Sequence, residues 1–131
     1  MRIPRQMVEE MIAHAREEAP NECCGMIGGA DGSGTTVYRS INAEESPLRY
    51  SLDASDQFRI MQEMEQRGEE LVGIYHSHTG SAGYPSQTDV NLAAYPDAVY
   101  VIVSLEDPQN PDVRGFWIRE GQIEEAELDV A

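Results

Sequence analysis

Apolar residues recur at helical spacing near the start of the chain, with charged residues between them. This pattern predicts an amphipathic helix over residues 4–19, because Pro4 suits a first helical turn and Pro20 cannot continue a helix. The apolar positions are Met7, Val8, Met11, Ile12, Ala15 and Ala19. His14 also lies on this helix, and we interpret it as a partly exposed residue.

A second amphipathic stretch and a short polar motif predict two further helices. Asp53 or Ser55 can cap the second helix, which stops at Gly68. The sequence SQTD at residues 86–89 resembles a capping box, in which the first and last side chains each satisfy a backbone N–H. It predicts a third, shorter helix that runs through Ala94.

Short runs of β-branched, aromatic and other apolar residues predict the strands. They cover residues 23–28, 35–41, 71–76, 98–105, 113–118 and 122–128. The glycine-rich residues 28–34 lack the lysine and the spacing of a phosphate-binding loop, so they predict a hairpin turn. This order of elements predicts one α/β domain over residues 1–131, with a single mixed sheet and helices packed on it.

The charge balance argues against several classes of partner. The chain has 24 acidic and 9 basic residues and a net charge of −15, and such a surface repels nucleic acids and anionic membranes. Since no apolar run resembles a membrane span or a secretion signal, the sequence predicts a soluble, cytoplasmic protein. All basic residues are arginines, which indicates either a cell with high internal salt or an arginine-biased genome.

The stretch from His76 to Asp89 carries the candidate chemistry. Side chains at positions i and i+2 of a strand point to the same side, so His76 and His78 are predicted to aim two imidazoles at one point. Asp89 lies in the first turn of the third predicted helix, and the intervening loop can fold it back as a third ligand. Two histidines and one carboxylate leave one position of a tetrahedral zinc ion open, as in a catalytic site.

A zinc hydrolase also needs a group that moves protons. Glu22 follows a Pro-Asn bend at the start of a strand expected beside that of His76, and we predict that it is the general base. Ser86 is predicted to donate to the developing oxyanion, in addition to capping its helix. The adjacent Cys23 and Cys24 cannot easily pair and are expected in the core. As a less favoured alternative, Cys24 would be a fourth ligand and make the zinc structural.

The spacing of these residues resembles the motif of the JAMM (MPN+) metallopeptidases. The matching positions are Glu22, His76-x-His78 and Ser86-x-x-Asp89, and residues 20–29, PNECCGMIGG, are similar to the strand that carries the family's catalytic glutamate. The similarity extends over nearly the whole chain. It implies a cytidine-deaminase-like α/β sandwich with one Zn²⁺ per chain on the two histidines and the aspartate. It further implies that the glutamate is the acid/base and the serine the oxyanion donor.

The resemblance also implies a substrate class. Compact prokaryotic members cleave a peptide or isopeptide bond at the Gly-Gly tail of a ubiquitin-like or sulfur-carrier protein, and we expect the same here from a monomer or homodimer. Residues 50–52 are our candidate for the strand edge that pairs with this tail. A non-catalytic MPN scaffold and a small-peptide amidase remain as alternatives. Thr79 replaces the family's usual proline, which concerns the rigidity of the loop more than the chemistry.

Overall fold

A computed structural model describes all residues, 1–131, as one eight-stranded mixed sheet with three helices. The helices are α1 (Arg5–Glu18), α2 (Ala54–Arg67), which Asp53 caps, and α3 (Gln87–Leu92). The strands are β1 (Arg2–Ile3), β2 (Cys24–Ala30), β3 (Ser33–Ser40), β4 (Glu70–His78), β5 (Val99–Ser104), β6 (Asp112–Arg119), β7 (Gln122–Ala126) and β8 (Asp129–Val130). The predicted α/β class is confirmed. None of the helices is long and apolar enough to cross a membrane.

The sheet separates two apolar layers, because successive strand residues point to opposite faces. On one face, α1 packs on a cluster that contains Tyr75 and Val101. On the other face, α2 packs on Met26, and α3 covers a cluster that contains Ile74 and Ile102. The strand order is β7-β6-β5-β4-β2-β3-β1-β8, so β4 lies between the parallel β5 and the antiparallel β2. Residues of β4 therefore alternate between the two layers.

The helix α3 is two residues shorter than predicted, since it ends at Leu92 and not at Ala94. The backbone N–H groups of Ala94 and Tyr95 both donate to the Tyr100 hydroxyl, at 3.0 Å each. This hydroxyl takes the place of the helical carbonyls that those groups would otherwise bond. A contact from β5 thus decides where α3 stops.

The turn between β2 and β3 is much tighter than the predicted long turn. Only Asp31 and Gly32 lie outside the two strands, with φ values of 52° and 75°. Two successive residues with positive φ match the twist of a two-residue hairpin. Gly28 and Gly29 lie within β2, and a Cβ on Gly29 would stand 1.9 Å from the carbonyl oxygen of Ser33. These glycines therefore allow a close approach of two backbones.

Two short strands at the chain ends were not predicted. Arg2 and Ile3 of β1 pair in parallel with Asp129 and Val130 of β8, and β1 also pairs with β3. Strands of two residues are too short to show the alternation by which a strand is recognised. They attach both ends of the chain to one edge of the sheet.

The interpretation of His14 as a partly exposed residue was wrong, because its side chain is buried. Its Nδ1 atom lies 2.7 Å from the Tyr75 hydroxyl, across the layer between α1 and the sheet. Burial, and then the charge of Arg39, lower the pKa of His14. The bond satisfies two polar groups inside an otherwise apolar layer, as buried polar groups require.

We expect added KCl to raise the melting temperature over the molar range. The net charge is −15 with no lysine, and five acidic residues among the last twelve of the chain are exposed. These are Glu120, Glu124, Glu125, Glu127 and Asp129. Salt at about 1 M shortens the screening length to roughly 3 Å and so weakens their repulsion. Calorimetry over a KCl series measures the effect, and a constant melting temperature would favour the arginine-biased genome.

Candidate metal centre

The strand β4 runs two residues beyond its predicted end and carries both candidate histidines. His76 and His78 share the face of the sheet that α3 covers, since they alternate with Tyr75 and Ser77. Both side chains are buried, and their Nε2 atoms lie 3.3 Å apart. The structure thus places these two imidazoles together, as the i, i+2 spacing predicts.

Asp89 is brought to the histidines by the capping box of α3. The Ser86 hydroxyl accepts from the Asp89 backbone N–H, and Asp89 Oδ2 accepts from the Ser86 backbone N–H, at 3.0 Å each. The same Oδ2 lies 3.1 Å from His76 Nε2 and 3.0 Å from His78 Nε2. Asp89 is buried, whereas Ser86 is exposed at the start of the helix. The motif that starts α3 therefore also aims its carboxylate at the two imidazoles.

The chemistry of these three donor atoms fits a metal cation. His78 Nδ1 lies 2.8 Å from the Ala82 carbonyl, which can only accept, so the proton of a neutral His78 belongs on Nδ1. In that form His78 Nε2 presents a lone pair to the Asp89 carboxylate oxygen, so the contact needs either a second proton on His78 or a metal cation between the two atoms. The three ligand atoms are 3.0–3.3 Å apart. A tetrahedral zinc with bonds of about 2.0–2.1 Å separates its ligand atoms by about 3.3 Å.

The ionisation of the cluster also suits metal binding. Burial raises the pKa of Asp89, but the hydrogen bonds to His76 and His78 outweigh this effect and hold the pKa below its ordinary value. Burial lowers the pKa of His76 in spite of the neighbouring carboxylate. Burial lowers the pKa of His78, but its hydrogen bonds to Asp89 and to the Ala82 carbonyl outweigh this and raise the pKa. Asp89 and His76 are therefore in the forms that metals bind, an ionised carboxylate and a neutral imidazole, whereas a metal on His78 has to displace a proton.

Glu22 lies two residues before the start of β2, beside the two histidines. Cys24 pairs with His76 in the antiparallel β2–β4 ladder, and continuing that register places Glu22 opposite His78, on the same face. The side chain of Glu22 is buried, and its Oε1 has no hydrogen-bond partner. Burial raises the pKa of Glu22 to about 7, His78 lowers it and Asp89 adds to the increase. A carboxyl group with such a pKa can both accept and release a proton near neutral pH.

Two contacts of the site were not predicted from the sequence, although residue 50 belongs to the candidate strand edge. The Tyr50 ring stacks on the His76 ring, with centroids 4.3 Å apart and planes 19° apart. Asn42 is buried and binds the Glu22 carbonyl through Nδ2 at 3.0 Å. The only available signal was an asparagine directly after a predicted strand, where its amide often bonds the backbone. Nothing in the sequence indicates that Tyr50 faces His76.

Cys24 and Thr79 lie next to the cluster in the fold, and neither belongs to it. The Cys24 thiol lies 3.6 Å from the Ile41 carbonyl, and it is not among the three converging donors. Burial raises its pKa to about 12, so it is not a thiolate, the form in which cysteine binds metal. The Thr79 hydroxyl donates to the Pro20 carbonyl at 2.9 Å. This bond joins the loop after β4 to the bend that precedes Glu22. A proline at position 79, the usual residue of the family, has no hydroxyl to make it.

A buried set of two histidines and one carboxylate is a ligand set that also occurs in the catalytic metal sites of hydrolases. Comparisons with known proteins agree with this class. The family description "Prokaryotic homologs of the JAB domain" matches residues 4–119. The chain is 42% identical over 130 residues to the CysO-cysteine peptidase of Mycobacterium tuberculosis, covering 98% of this chain and 89% of the relative. It is 36% identical over 103 residues to a desampylase of Haloferax volcanii, covering 73% and 74% of the two chains.

A solved structure extends the likeness to the whole fold. Protein DSY2949 from Desulfitobacterium hafniense has a TM-score of 0.91 and 35% identity, with 100% of this chain and 93% of that chain covered. The chain therefore belongs to the prokaryotic JAB-domain family, within the JAMM/MPN proteins, and it has their α/β fold. It is a hydrolase of the JAMM protease type, and the alternative of a non-catalytic scaffold was wrong.

Proposed function

We propose that the protein is a zinc-dependent peptidase that cleaves a peptide or isopeptide bond after the Gly-Gly tail of a ubiquitin-like or sulfur-carrier protein. The observation that carries this proposal is the buried cluster of His76, His78 and Asp89 with the unpartnered carboxylate of Glu22 beside it. We further propose that residues 1–131 act as one catalytic domain.

In this proposal, His76 Nε2, His78 Nε2 and Asp89 Oδ2 hold one zinc ion. When bound, zinc supplies a Lewis acid that makes water more acidic and polarises the scissile carbonyl. Glu22 accepts the proton of the attacking water and passes it to the leaving nitrogen, for which its pKa of about 7 is well placed. The Ser86 hydroxyl already accepts from the Asp89 N–H, so its own hydrogen is oriented away and can be donated to the carbonyl oxygen.

The substrate class is supported by the relatives and by the surface beside the cluster. The mycobacterial relative is named a CysO-cysteine peptidase, and the haloarchaeal one a desampylase. Tyr50, which stacks on His76, also lines a groove of about 290 Å³, and seven of the nine residues that line it are hydrophobic, among them Leu52, Tyr95 and Tyr100. Such a groove suits an extended apolar segment that leads to the scissile bond.

The backbone around Tyr50 also has an edge that faces this groove. Leu52 lies opposite Asn42, and the bonds on that side are made by the neighbours of Leu52. The Ser51 carbonyl accepts from the Ala43 N–H, and the Asp53 N–H donates to the Ile41 carbonyl. The backbone groups of Tyr50 and Leu52 point the other way, since neighbouring residues of a strand alternate their bonding sides. Backbone pairing of a carrier tail with this second side stays a prediction.

We expect a carrier fusion ending in Gly-Gly-X to be cut at least tenfold faster than the same fusion ending in Ala-Ala-X. Each added methyl next to the scissile carbonyl has to fit between the buried His78 and the loop after it, and a misplaced reacting group loses rate steeply. A short peptide with the Gly-Gly-X ending should also be cut poorly, because binding energy from the folded carrier helps to place the bond. The measurement is kcat/KM for all three substrates.

Equal kcat/KM values for the three substrates would identify a general small-peptide hydrolase and would contradict the proposed substrate class. A zinc-loaded wild type that cuts the peptide but neither fusion would do the same and would favour the amidase alternative.

A further inference from the structure

The loop between β3 and α2, residues 43–51, contacts two of the proposed functional residues at once. We call it the Tyr50 loop. Its ends are joined by the bond from the Ala43 N–H to the Ser51 carbonyl, at 2.8 Å. Within it, the Ser46 carbonyl accepts from the Glu22 N–H at 2.9 Å, and the Tyr50 ring lies on the His76 ring. The loop therefore contacts the backbone of the proposed base and the ring of a proposed ligand.

Asn42 fixes this loop through all four hydrogen-bonding positions of its amide. Its Nδ2 donates to the Glu22 carbonyl at 3.0 Å and to the Arg49 carbonyl at 3.1 Å. Its Oδ1 accepts from the backbone N–H groups of Glu44 and Ser51, at 3.0 Å each. A buried amide with every position satisfied specifies one geometry, because any movement leaves a buried polar group unpaired.

We propose that Asn42 and Tyr50 are positioning residues of the reaction, with Asn42 holding Glu22 and Tyr50 holding His76. The inference rests on the proposed function, since it assigns roles around the proposed base and ligand. Neither residue contacts the reacting atoms. The two residues act together, because the hydrogen bonds of the Asn42 side chain hold the loop that carries Tyr50.

The role of Asn42 follows from the unusual position of Glu22. Its carboxyl oxygen Oε1 has no hydrogen-bond partner, so no hydrogen bond fixes that oxygen. Both backbone groups of Glu22 are instead bonded, the N–H to Ser46 and the carbonyl to Asn42. The direction of the Glu22 side chain is thus set from its backbone, and Asn42 supplies one of the two bonds that hold it.

The role of Tyr50 follows from a difference between the two histidines. A metal-binding histidine normally donates its second ring N–H to a nearby acceptor, which fixes the ring. His78 does so through Nδ1 to the Ala82 carbonyl, but Nδ1 of His76 is buried without any partner. The stacked ring of Tyr50 is the contact that replaces this bond. Stacking on Tyr50 therefore does for the Nδ1 side of His76 what the hydrogen bond to Ala82 does for His78, while His76 Nε2 faces Asp89.

The test uses the full chain and combines zinc affinity with steady-state kinetics. Tyr50→Leu removes the ring, and Tyr50→Phe keeps it. Asn42→Asp keeps the acceptor for Glu44 and Ser51 but loses both donated bonds. Asn110→Asp, at an exposed loop residue, is the control that makes the same change of charge. Zinc affinity is measured by competition with a chelator, which needs no substrate, and kcat and KM are measured at saturating zinc.

We expect Tyr50→Leu to weaken zinc binding by about tenfold, as is typical when support of a ligand is lost, and Tyr50→Phe to leave it unchanged. Asn42→Asp should also weaken zinc binding, and the double variant should bind no worse than Tyr50→Leu alone, because both changes release the same stacking contact. At saturating zinc, Tyr50→Leu should recover most of its kcat. Asn42→Asp should remain at least tenfold low in kcat with little change in KM.

Wild-type zinc affinity in Tyr50→Leu would overturn the role of Tyr50, and wild-type kcat in Asn42→Asp would overturn that of Asn42. Fully additive losses of zinc affinity would show that the two residues do not act as one unit. If Asn42→Asp does not fold, the Tyr50→Leu and Tyr50→Phe pair still decides the role of the loop. A wild type that binds zinc but cuts no carrier would contradict the proposed function alone, because the affinity measurements stand without a substrate.

Discussion

Replacing Glu22 by glutamine is expected to lower kcat for carrier cleavage by about 10²–10⁴-fold, the usual contribution of a positioned acid or base. Glutamine has nearly the same shape but neither accepts nor releases a proton near neutral pH. Zinc content should stay at that of the wild type, because Glu22 is not one of the three converging donors. Turnover of a cleavable carrier fusion and metal analysis of the same sample measure both quantities. Turnover near that of the wild type would show that another group is the base.

The same substitution should stabilise the metal-free protein, with a defined pH dependence. Burial raises the pKa of Glu22 from an ordinary value of 4.5 to about 7, so the folded state favours the protonated form. The burial of Glu22 therefore costs the wild type least below pH 4.5. The free energy of unfolding falls as the pH rises to about 7 and does not change further, through this group, above that pH. Glutamine carries no such penalty. The free energy of unfolding of Glu22→Gln should exceed that of the wild type by almost nothing at pH 4 and by up to about 3 kcal/mol at pH 8.

Urea unfolding of the metal-free proteins at several pH values measures this gain. Glu9→Gln, at an exposed position of α1, is the matched control and should show no comparable pH-dependent gain. A Glu22→Gln variant that is less stable than the wild type at pH 8 would contradict the inferred cost of burying the Glu22 charge. The expected pattern is a site that holds a group useful for catalysis at the expense of stability.

Removing one proposed ligand is expected to remove the metal. The wild type should bind one zinc per chain, whereas His76→Ala and Asp89→Ala should retain less than about a tenth of it, because two remaining ligands bind zinc far more weakly than three. Carrier cleavage should fall with the metal. The measurement is elemental analysis after equilibration with a zinc buffer, and full zinc in both variants would refute the ligand assignment.

Two further variants make the metal analysis specific. Asp89→Asn keeps an oxygen that can accept from the Ser86 N–H, so α3 stays capped while the charge is lost. Its zinc loss should approach that of Asp89→Ala, which separates ligation from helix capping. His14→Gln removes the one histidine that lies apart from the cluster and should keep the zinc, although it loses the imidazole bond to Tyr75.

The parts of the site that the sequence predicts are those that follow from local geometry. The i, i+2 spacing brings His76 and His78 together on any strand, and the capping box orients Asp89 wherever α3 begins. Residues that act over long sequence separations have no such signal. Tyr50 meets His76 across 26 positions, because only the assembled sheet sets where the loop after β3 lies.

The same distinction explains the errors in the fold. His14 has the sequence setting of a surface helix residue, and only its partner Tyr75, 61 positions away, accounts for its burial. The helix α3 is cut short by a hydroxyl from β5, which no local pattern contains. The predicted hairpin turn is too long because a run of glycines indicates a turn, whereas Gly29 lies within a strand and allows two strands to approach each other.

The shared use of Asp89 has a consequence for how such a protein can lose its activity during evolution. Oδ2 of Asp89 starts a helix and completes the cluster, so most substitutions at this position disturb folding together with chemistry. His76 and His78 form no part of that cap. When such an enzyme evolves into a non-catalytic scaffold, changes at His76 or His78 therefore leave the cap of α3 intact, and we expect them to come first. Asparagine at position 89 is the conservative exception, and its appearance beside intact histidines would mark a site that lost catalysis while its architecture was kept.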